Sequence, residues 1–256
     1  MKRYILTLII AVFALMQAAA QTYDNLWKQA DIIARKDQPR SEIGVMKKII
    51  SKASAAKDYG QLLAAEMRQM ILWKEISADS LTPNVKRMET EVLRVKDPAL
   101  KAVRYAVLGK VYSDMDEKKS EEFFKKALQQ PELLAKHTST EYVPLTLKGV
   151  DGSSFNNDLL HLIGFEADSK EAYHLMYTYY NKVGNRGAAC LCAYKLIEKY
   201  RQDDVREVKK SKYLHTIDSL IHVYQDIPEA GELAVEHFRF MEGATDAKPL
   251  DKLNYI

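Results

Sequence analysis

The strongest metal-ligand pattern in the chain is formed by His215, Asp218 and His222, which follow one another at spacings of three and four residues. Residues spaced in this way lie on one face of an α-helix. Two imidazoles and a carboxylate could hold one zinc or copper ion and leave a coordination position open. Exposed histidine and aspartate need no ion, however, so a solvated helix face is the favoured interpretation and the three residues are weak metal candidates.

Motifs for catalysis are missing from the sequence. It contains no His-Glu-x-x-His, no Gly-x-Ser-x-Gly, no glycine-rich phosphate loop and no Cys-x-x-Cys. We therefore expect no catalytic residue, no cofactor and no enzymatic activity.

Two further groups of residues invite a chemical interpretation and are better explained by packing. Cys190 and Cys192 lie two residues apart in a helical pattern, so their side chains diverge and a mutual disulfide is disfavoured. Small buried side chains are the favoured explanation. Tyr173, Tyr177 and Tyr180 form one helical stripe, for which core packing is favoured over a ligand-binding box.

The N-terminus has the pattern of a secretory signal peptide, residues 1–20. Two positive charges in Met1–Arg3 precede the apolar run Tyr4–Met16 and the small residues Ala18–Ala20. A transmembrane anchor is the alternative, but the apolar run falls short of the ~18 residues that span a bilayer. We expect an exported protein of the periplasm or cell envelope, with no integral membrane segment after the signal is removed.

The charge balance argues against a nucleic-acid partner. Removing Lys2 and Arg3 with the signal peptide leaves 36 of the 38 basic residues against 35 acidic ones, a formal charge of +1. Nucleic-acid binding needs clustered lysine and arginine. The short basic run Lys209–Lys212 has acidic neighbours and is interpreted as a solvated helix face.

The rest of the sequence has helical period almost throughout, with apolar residues recurring at spacings of three and four. Cap residues and prolines predict the start of several helices. These signals are Thr82-Pro83, Asp97-Pro98, Ser169, Asn185 and Pro228. Only Tyr142–Val150 has strand-like alternation, and its proline favours a short extended loop. The pattern predicts an all-α fold of about eleven helices without substantial β-sheet.

Helices of this length with short links pack as antiparallel hairpins that need neighbours to cover their apolar faces. Two segments follow the tetratricopeptide (TPR) order of large, small and aromatic positions. The first comprises Tyr105, Leu108, Gly109, Tyr112, Ser120, Phe124 and Ala127, and the second comprises Met176, Tyr180, Ala189, Ala193 and Leu196. We therefore expect hairpins stacked as a TPR-like superhelix or solenoid, with a generic helical bundle as the alternative.

The stretch 137–156 lacks helical period and carries Pro144 and two glycines. It predicts a connecting loop, either a hinge or an ordered segment, between an N-terminal helical-repeat half at 22–136 and a C-terminal TPR-like half at 157–243. Residues 244–256 open with a new start signal and three apolar residues in helical period. We expect the truncated start of a further helix of a longer polypeptide there, and a frayed terminus is the alternative.

Several segments together resemble the N-terminal helical region of the large bacterial alpha-2-macroglobulin-like envelope proteins, over essentially all of residues 1–256. The segments are Tyr23–Lys28, Tyr59–Leu63, Gly149–Asp151, Phe155–Leu160, Val183–Cys190 and Ile227–Glu232.

The resemblance implies a helical leader beside a protease-inhibiting body of β-sandwich domains. The thioester motif of that body is Cys-x-Glu-Gln, which the residues Cys190–Ala193 do not match. The resemblance therefore assigns no role in protease trapping to any residue of this chain. What the resemblance implies for this chain is a module that positions or recruits protein partners in the cell envelope, including macroglobulin domains of the same or an adjacent polypeptide. A free-standing periplasmic TPR-like scaffold or adaptor, unrelated to protease inhibition, is the alternative.

Overall fold

The computed structural model describes residues 23–146, 149–203 and 207–242. The predicted signal peptide at 1–20 and the predicted final helix at 244–256 lie outside the described residues. Within the described part, every helix is too short or too polar to cross a lipid bilayer.

Twelve α-helices make up most of the described chain, which confirms the all-α prediction. They are α1 (23–34), α2 (Pro39–Ala56), α3 (Tyr59–Ile76), α4 (Ala78–Arg94), α5 (Pro98–Tyr112), α6 (Glu117–Ala127), α7 (Pro131–Leu134), α8 (Leu159–Ala167), α9 (Lys170–Lys182), α10 (Arg186–Asp203), α11 (Glu207–Tyr224) and α12 (Ala230–Glu242). A short 3-10 helix, Ser139–Tyr142, follows α7. The β-structure of these residues is one isolated bridge between Thr138 and Asp158.

Side-chain caps fix the start of half of these helices. In each case an oxygen of the cap side chain accepts the backbone N–H three residues later, which satisfies a donor that the helix itself leaves unpaired. The caps are Asp58, Asp97, Asp116, Asp158, Ser169 and Asn185, at donor–acceptor distances of 2.8 to 3.2 Å. The starts predicted at Asp97, Ser169 and Asn185 are thereby confirmed.

The start predicted at Thr82-Pro83 is wrong, because α4 begins at Ala78 and Pro83 lies inside it. The apolar face of this helix begins before the proline, at Leu81, and continues through Val85. Burying that continuous face stabilises the helix by more than the one backbone hydrogen bond that proline cannot donate. The last full helix likewise begins at Ala230, two residues after the predicted Pro228.

Packing divides the chain into two compact units. Of the described residues, the first unit contains 23–115 together with 140–146, and the second contains 116–139, 149–203 and 207–242. The division differs from the predicted halves at 22–136 and 157–243, because α6 and α7 pack against α8 and α9. The predicted connecting loop at 137–156 is shared between the units.

In the first unit, successive helices from α2 to α5 pack against one another, and α3 also contacts α5. The fully buried side chains of Met46, Ile49 and Leu63 belong to its apolar core. A salt bridge inside this unit joins α3 to α5, with Arg104 Nη1 lying 3.3 Å from Glu66 Oε2.

In the second unit, the α9–α10 hairpin packs most extensively, and α10 also contacts α11 and α12. The hairpin coincides with the second predicted TPR segment, whose Met176, Tyr180 and Ala189 are buried between the helices. The first predicted segment is divided between the units, since α5 belongs to the first and α6 to the second. Neighbour-to-neighbour packing of this kind is typical of helical-repeat proteins.

Candidate functional site

The three weak metal candidates lie on the exposed side of α11 and do not form a ligand set. Asp218 Oδ1 lies 3.0 Å from Nε2 of His237 on α12, while His215 and His222 are exposed. In the part of the chain that the structure describes, no group of three or more His, Cys, Asp or Glu side chains could hold a metal ion.

Cys190 and Cys192 are buried and are not disulfide-bonded, as their spacing predicts. Burial raises the pKa of Cys190 to about 12 and that of Cys192 further still. Both thiols are therefore protonated near neutral pH and inert as nucleophiles. Tyr173 and Tyr180 are buried in the hairpin, in agreement with the core-packing interpretation, while Tyr177 is half-buried.

Three connections between helices meet at one end of the second unit, which we call the loop end. They are the loop 149–157, the turn 183–185 between α9 and α10, and the turn 225–229 between α11 and α12. Asn185 Nδ2 donates a hydrogen bond to the backbone oxygen of Ser154 at 2.9 Å. The Ser154 hydroxyl in turn donates to Glu229 Oε1 at 3.1 Å. These two bonds tie all three connections together.

An arginine at the start of α10 strengthens the same end. Arg186 Nη2 donates to Asp226 Oδ1 at 2.6 Å and to the backbone oxygen of Val223 at 2.8 Å. Its guanidinium also lies 5.9 Å from the ring centroid of Tyr224. Arg186 Nη1 also donates to Asp226 Oδ2, and a bidentate arginine–carboxylate pair of this kind has a defined geometry that holds the turn 225–229 against α10.

Beneath the loop end, Phe155 anchors the loop 149–157 in the interior. Its fully buried ring stacks on the His161 ring at a centroid distance of 4.0 Å and meets the Tyr180 ring edge-on at 5.2 Å. The backbone of Gly149 packs closely against the His161 ring, since a Cβ atom at that position would lie only 2.6 Å from His161 Cε1. The loop is thus a packed part of the unit.

Asp158 joins this loop to α8 and α9. Its Oδ1 accepts the backbone N–H of His161 at 2.8 Å and the hydroxyl of Tyr180 at 2.8 Å. Burial raises the pKa of the Asp158 carboxyl, while these hydrogen bonds act in the opposite direction. The carboxylate therefore fixes the position of the loop rather than offering an open acid or base.

His161 is fully buried, and neither of its ring nitrogens has a hydrogen-bond partner of normal geometry. Burial lowers the pKa of His161 from 6.5 to about 4, with a smaller opposing effect from the backbone of Val150. A histidine in this setting is neutral at physiological pH, and the folded unit resists its protonation.

The stability of the second unit should therefore fall in acid. Above pH 6.5 the histidine is neutral in the folded and unfolded chain; between pH 6.5 and about 4 only the unfolded chain takes up the proton. The two pKa values correspond to a loss of about 3 kcal/mol across this window. Urea unfolding of the wild type and His161→Leu at pH 7 and pH 4.5 measures the difference. The control variant His174→Gln should lose as much stability between pH 7 and pH 4.5 as the wild type. If His161→Leu also lost as much as the wild type, His161 would not be the source of the acid sensitivity.

Two of the connections at the loop end expose an apolar side chain, and so does the last turn of α11. Val150 in the loop is 76% exposed, Val183 in the first turn 52%, and Val223 beside the second turn 57%. Sequence reasoning missed this surface, although Gly149–Asp151, Val183–Cys190 and Ile227–Glu232 are three of the segments that carry the family resemblance. Periodicity cannot show that separate loops meet in space. A contiguous exposed apolar patch is typical of a protein-contact surface, whereas single exposed apolar residues are common on any protein.

Comparison of the chain with protein-family models, with curated proteins and with solved structures finds no match.

Proposed function

We propose that the protein is an exported, non-enzymatic helical-repeat module that binds another protein in the cell envelope, as the leader region of a bacterial alpha-2-macroglobulin-like protease inhibitor would. The loop end is its contact surface. The observation that carries this proposal is the exposure of Val150 and Val183 on two connections that hydrogen bonds tie together, and of Val223 on the last turn of α11 beside the third.

The chemistry of the loop end suits a protein partner. Burying a valine that is otherwise exposed gains about 1.5 kcal/mol or more, so three valines could supply the apolar centre of a modest interface. The exposed pairs Arg186–Asp226 and Lys182–Glu132 would provide a charged rim around that centre. A fixed backbone lowers the entropy cost of binding.

The buried groups favour a binding role over catalysis. His161, Cys190 and Asp158 carry shifted pKa values because they lie inside the unit, where a substrate has no access. Their shifts have a structural cause in desolvation and need no catalytic explanation.

Site-specific photo-crosslinking in the native cells tests the proposal. A photoreactive residue in place of Val183 should give a discrete crosslinked product in the periplasmic or membrane fraction. Leu93, which is 67% exposed on α4 of the first unit, provides the matched control position and should give none. The double variant Val183→Glu/Val223→Glu should weaken the complex at least tenfold, whereas Leu93→Glu should leave it unchanged.

The identity of the crosslinked protein separates the two envelope functions. A macroglobulin-like polypeptide supports the leader function, and any other envelope protein supports the scaffold alternative. The proposal would be contradicted if this protein itself remained in the cytoplasmic fraction. Equal crosslinking from Val183 and Leu93 would also contradict it.

A further inference from the structure

A short segment, which begins in the 3-10 helix Ser139–Tyr142 and continues as a turn, packs in the first unit although the chain on both sides of it belongs to the second. We call this segment, residues 140–146, the strap. Immediately before it, the backbone N–H of Ser139 donates to the Asn157 oxygen at 2.9 Å, a bond within the second unit. The strap is therefore a short segment that leaves the second unit and packs in the first.

The strap rests on the first turn of α3 through its backbone. A Cβ atom on Gly60 would lie 2.2 Å from the carbonyl oxygen of Val143 and 2.8 Å from that of Tyr142. Such a close approach is possible only where the helix carries glycine. Because the contact on the strap side is made by main-chain atoms, it depends on the backbone conformation of the strap more than on its side chains.

One side chain anchors the strap. Tyr142 is only 5% exposed, while Val143, the next residue, is 55% exposed. Burial, together with the smaller effect of the Asp97 carboxylate, raises the pKa of Tyr142 to about 12, as expected for a phenol held away from water. The backbone N–H of Thr146 closes the strap into a turn by donating to the Tyr142 oxygen at 3.2 Å.

A buried aromatic anchor, a main-chain contact on the receptor and exposed flanking residues are the features of a short peptide bound to a protein groove. We propose that the first turn of α3 at Gly60, with the pocket that holds the Tyr142 side chain, is a peptide-binding site, which the strap occupies as an internal ligand. Its external ligand is a segment of a protein partner with tyrosine in a turn like that of the strap. This site is separate from the loop end and does not depend on the function proposed for it.

The strap is covalently part of the same chain, and this attachment would regulate the site. A segment attached to the same chain competes at an effective concentration of about millimolar, so an external peptide binds well only after the strap is displaced.

Peptide binding to full-length variants tests the inference. The probe is a fluorescent synthetic peptide with the sequence of residues 139–146, Ser-Thr-Glu-Tyr-Val-Pro-Leu-Thr. The variant Tyr142→Ala empties the pocket, so it should bind the peptide at least tenfold more tightly than the wild type. Adding Gly60→Ala should abolish this gain, because the new methyl group occupies the place of the carbonyl oxygens. A peptide with alanine in place of its tyrosine should bind at least tenfold more weakly.

Absence of binding to a folded Tyr142→Ala protein would overturn the inference, as would equal binding of the tyrosine and alanine peptides. Hydrogen exchange of the wild type keeps the test informative if that variant does not fold. Millimolar peptide should speed exchange of the Thr146 N–H at least fivefold and leave the interior of α3 unchanged. Unchanged exchange at Thr146 would overturn the inference without bearing on the loop end.

Discussion

Replacing Phe155 by alanine is expected to destabilise the second unit by about 3–5 kcal/mol, the range found when a buried phenylalanine is truncated. The ring is fully buried, and it stacks on His161 and meets Phe165 and Tyr180 edge-on. Truncation would leave a cavity and remove three aromatic contacts at once. It would also release the loop 149–157 from the interior, since no other side chain of that loop is as deeply buried.

Two optical probes distinguish this effect from a general loss of stability. The two tryptophans of the chain, Trp27 and Trp73, both belong to the first unit, so their fluorescence follows that unit. Circular dichroism follows the helices of both units. For Phe155→Ala, part of the circular dichroism signal should be lost at lower urea than in the wild type. The control Val150→Ala, in the same loop but exposed, should stay within about 0.5 kcal/mol of the wild type. A similarly small change for Phe155→Ala would show that the ring does not anchor the loop.

Replacing Arg104 by methionine is expected to destabilise the first unit by about 3–5 kcal/mol, because it leaves a buried carboxylate without its partner. Glu66 is almost fully buried, and Arg104 Nη1 lies 3.3 Å from its Oε2 and 3.9 Å from Glu91 Oε2. Burial raises the pKa of Glu66, and the guanidinium opposes that rise. Without the arginine the pKa would rise further, so the loss of stability should grow as the pH increases.

Tryptophan fluorescence during urea unfolding measures this loss. Adding Glu66→Gln to Arg104→Met should restore most of the stability, since the buried charge is then removed as well. Lys74→Met provides a control, because the Lys74–Asp114 pair is exposed and screened by water, so its loss should barely change stability. If Arg104→Met and Lys74→Met had equal effects, the buried pair would not be a determinant of stability.

Local signals in the sequence were sufficient for the fold class and for many helix starts. Asp97, Ser169 and Asn185 cap helices where the sequence predicts them, because a cap is a contact over three residues. The same local logic failed at Pro83, where burial of a longer apolar face outweighs the preference of proline for the first turn.

Features that depend on distant residues could not be predicted. The Glu66–Arg104 pair joins residues 38 positions apart, and the bond between Ser154 and Glu229 spans 75. Helical period shows which face of a helix is buried but not which partner covers it. For the same reason the sequence placed the division of the chain in the loop 137–156, whereas packing assigns α6 and α7 to the second unit.

The strap belongs to the first unit but lies between two segments of the second unit in the sequence, so the two units are interleaved along the gene. A polypeptide ending at Met115 would lack the residues that cover Gly60, and one beginning at Lys148 would lack α6 and α7. No single break yields both units intact. A break after Met115 leaves the second unit complete but takes the strap away from the first, so recombination at one point could not have exchanged the first unit between proteins as a self-contained module.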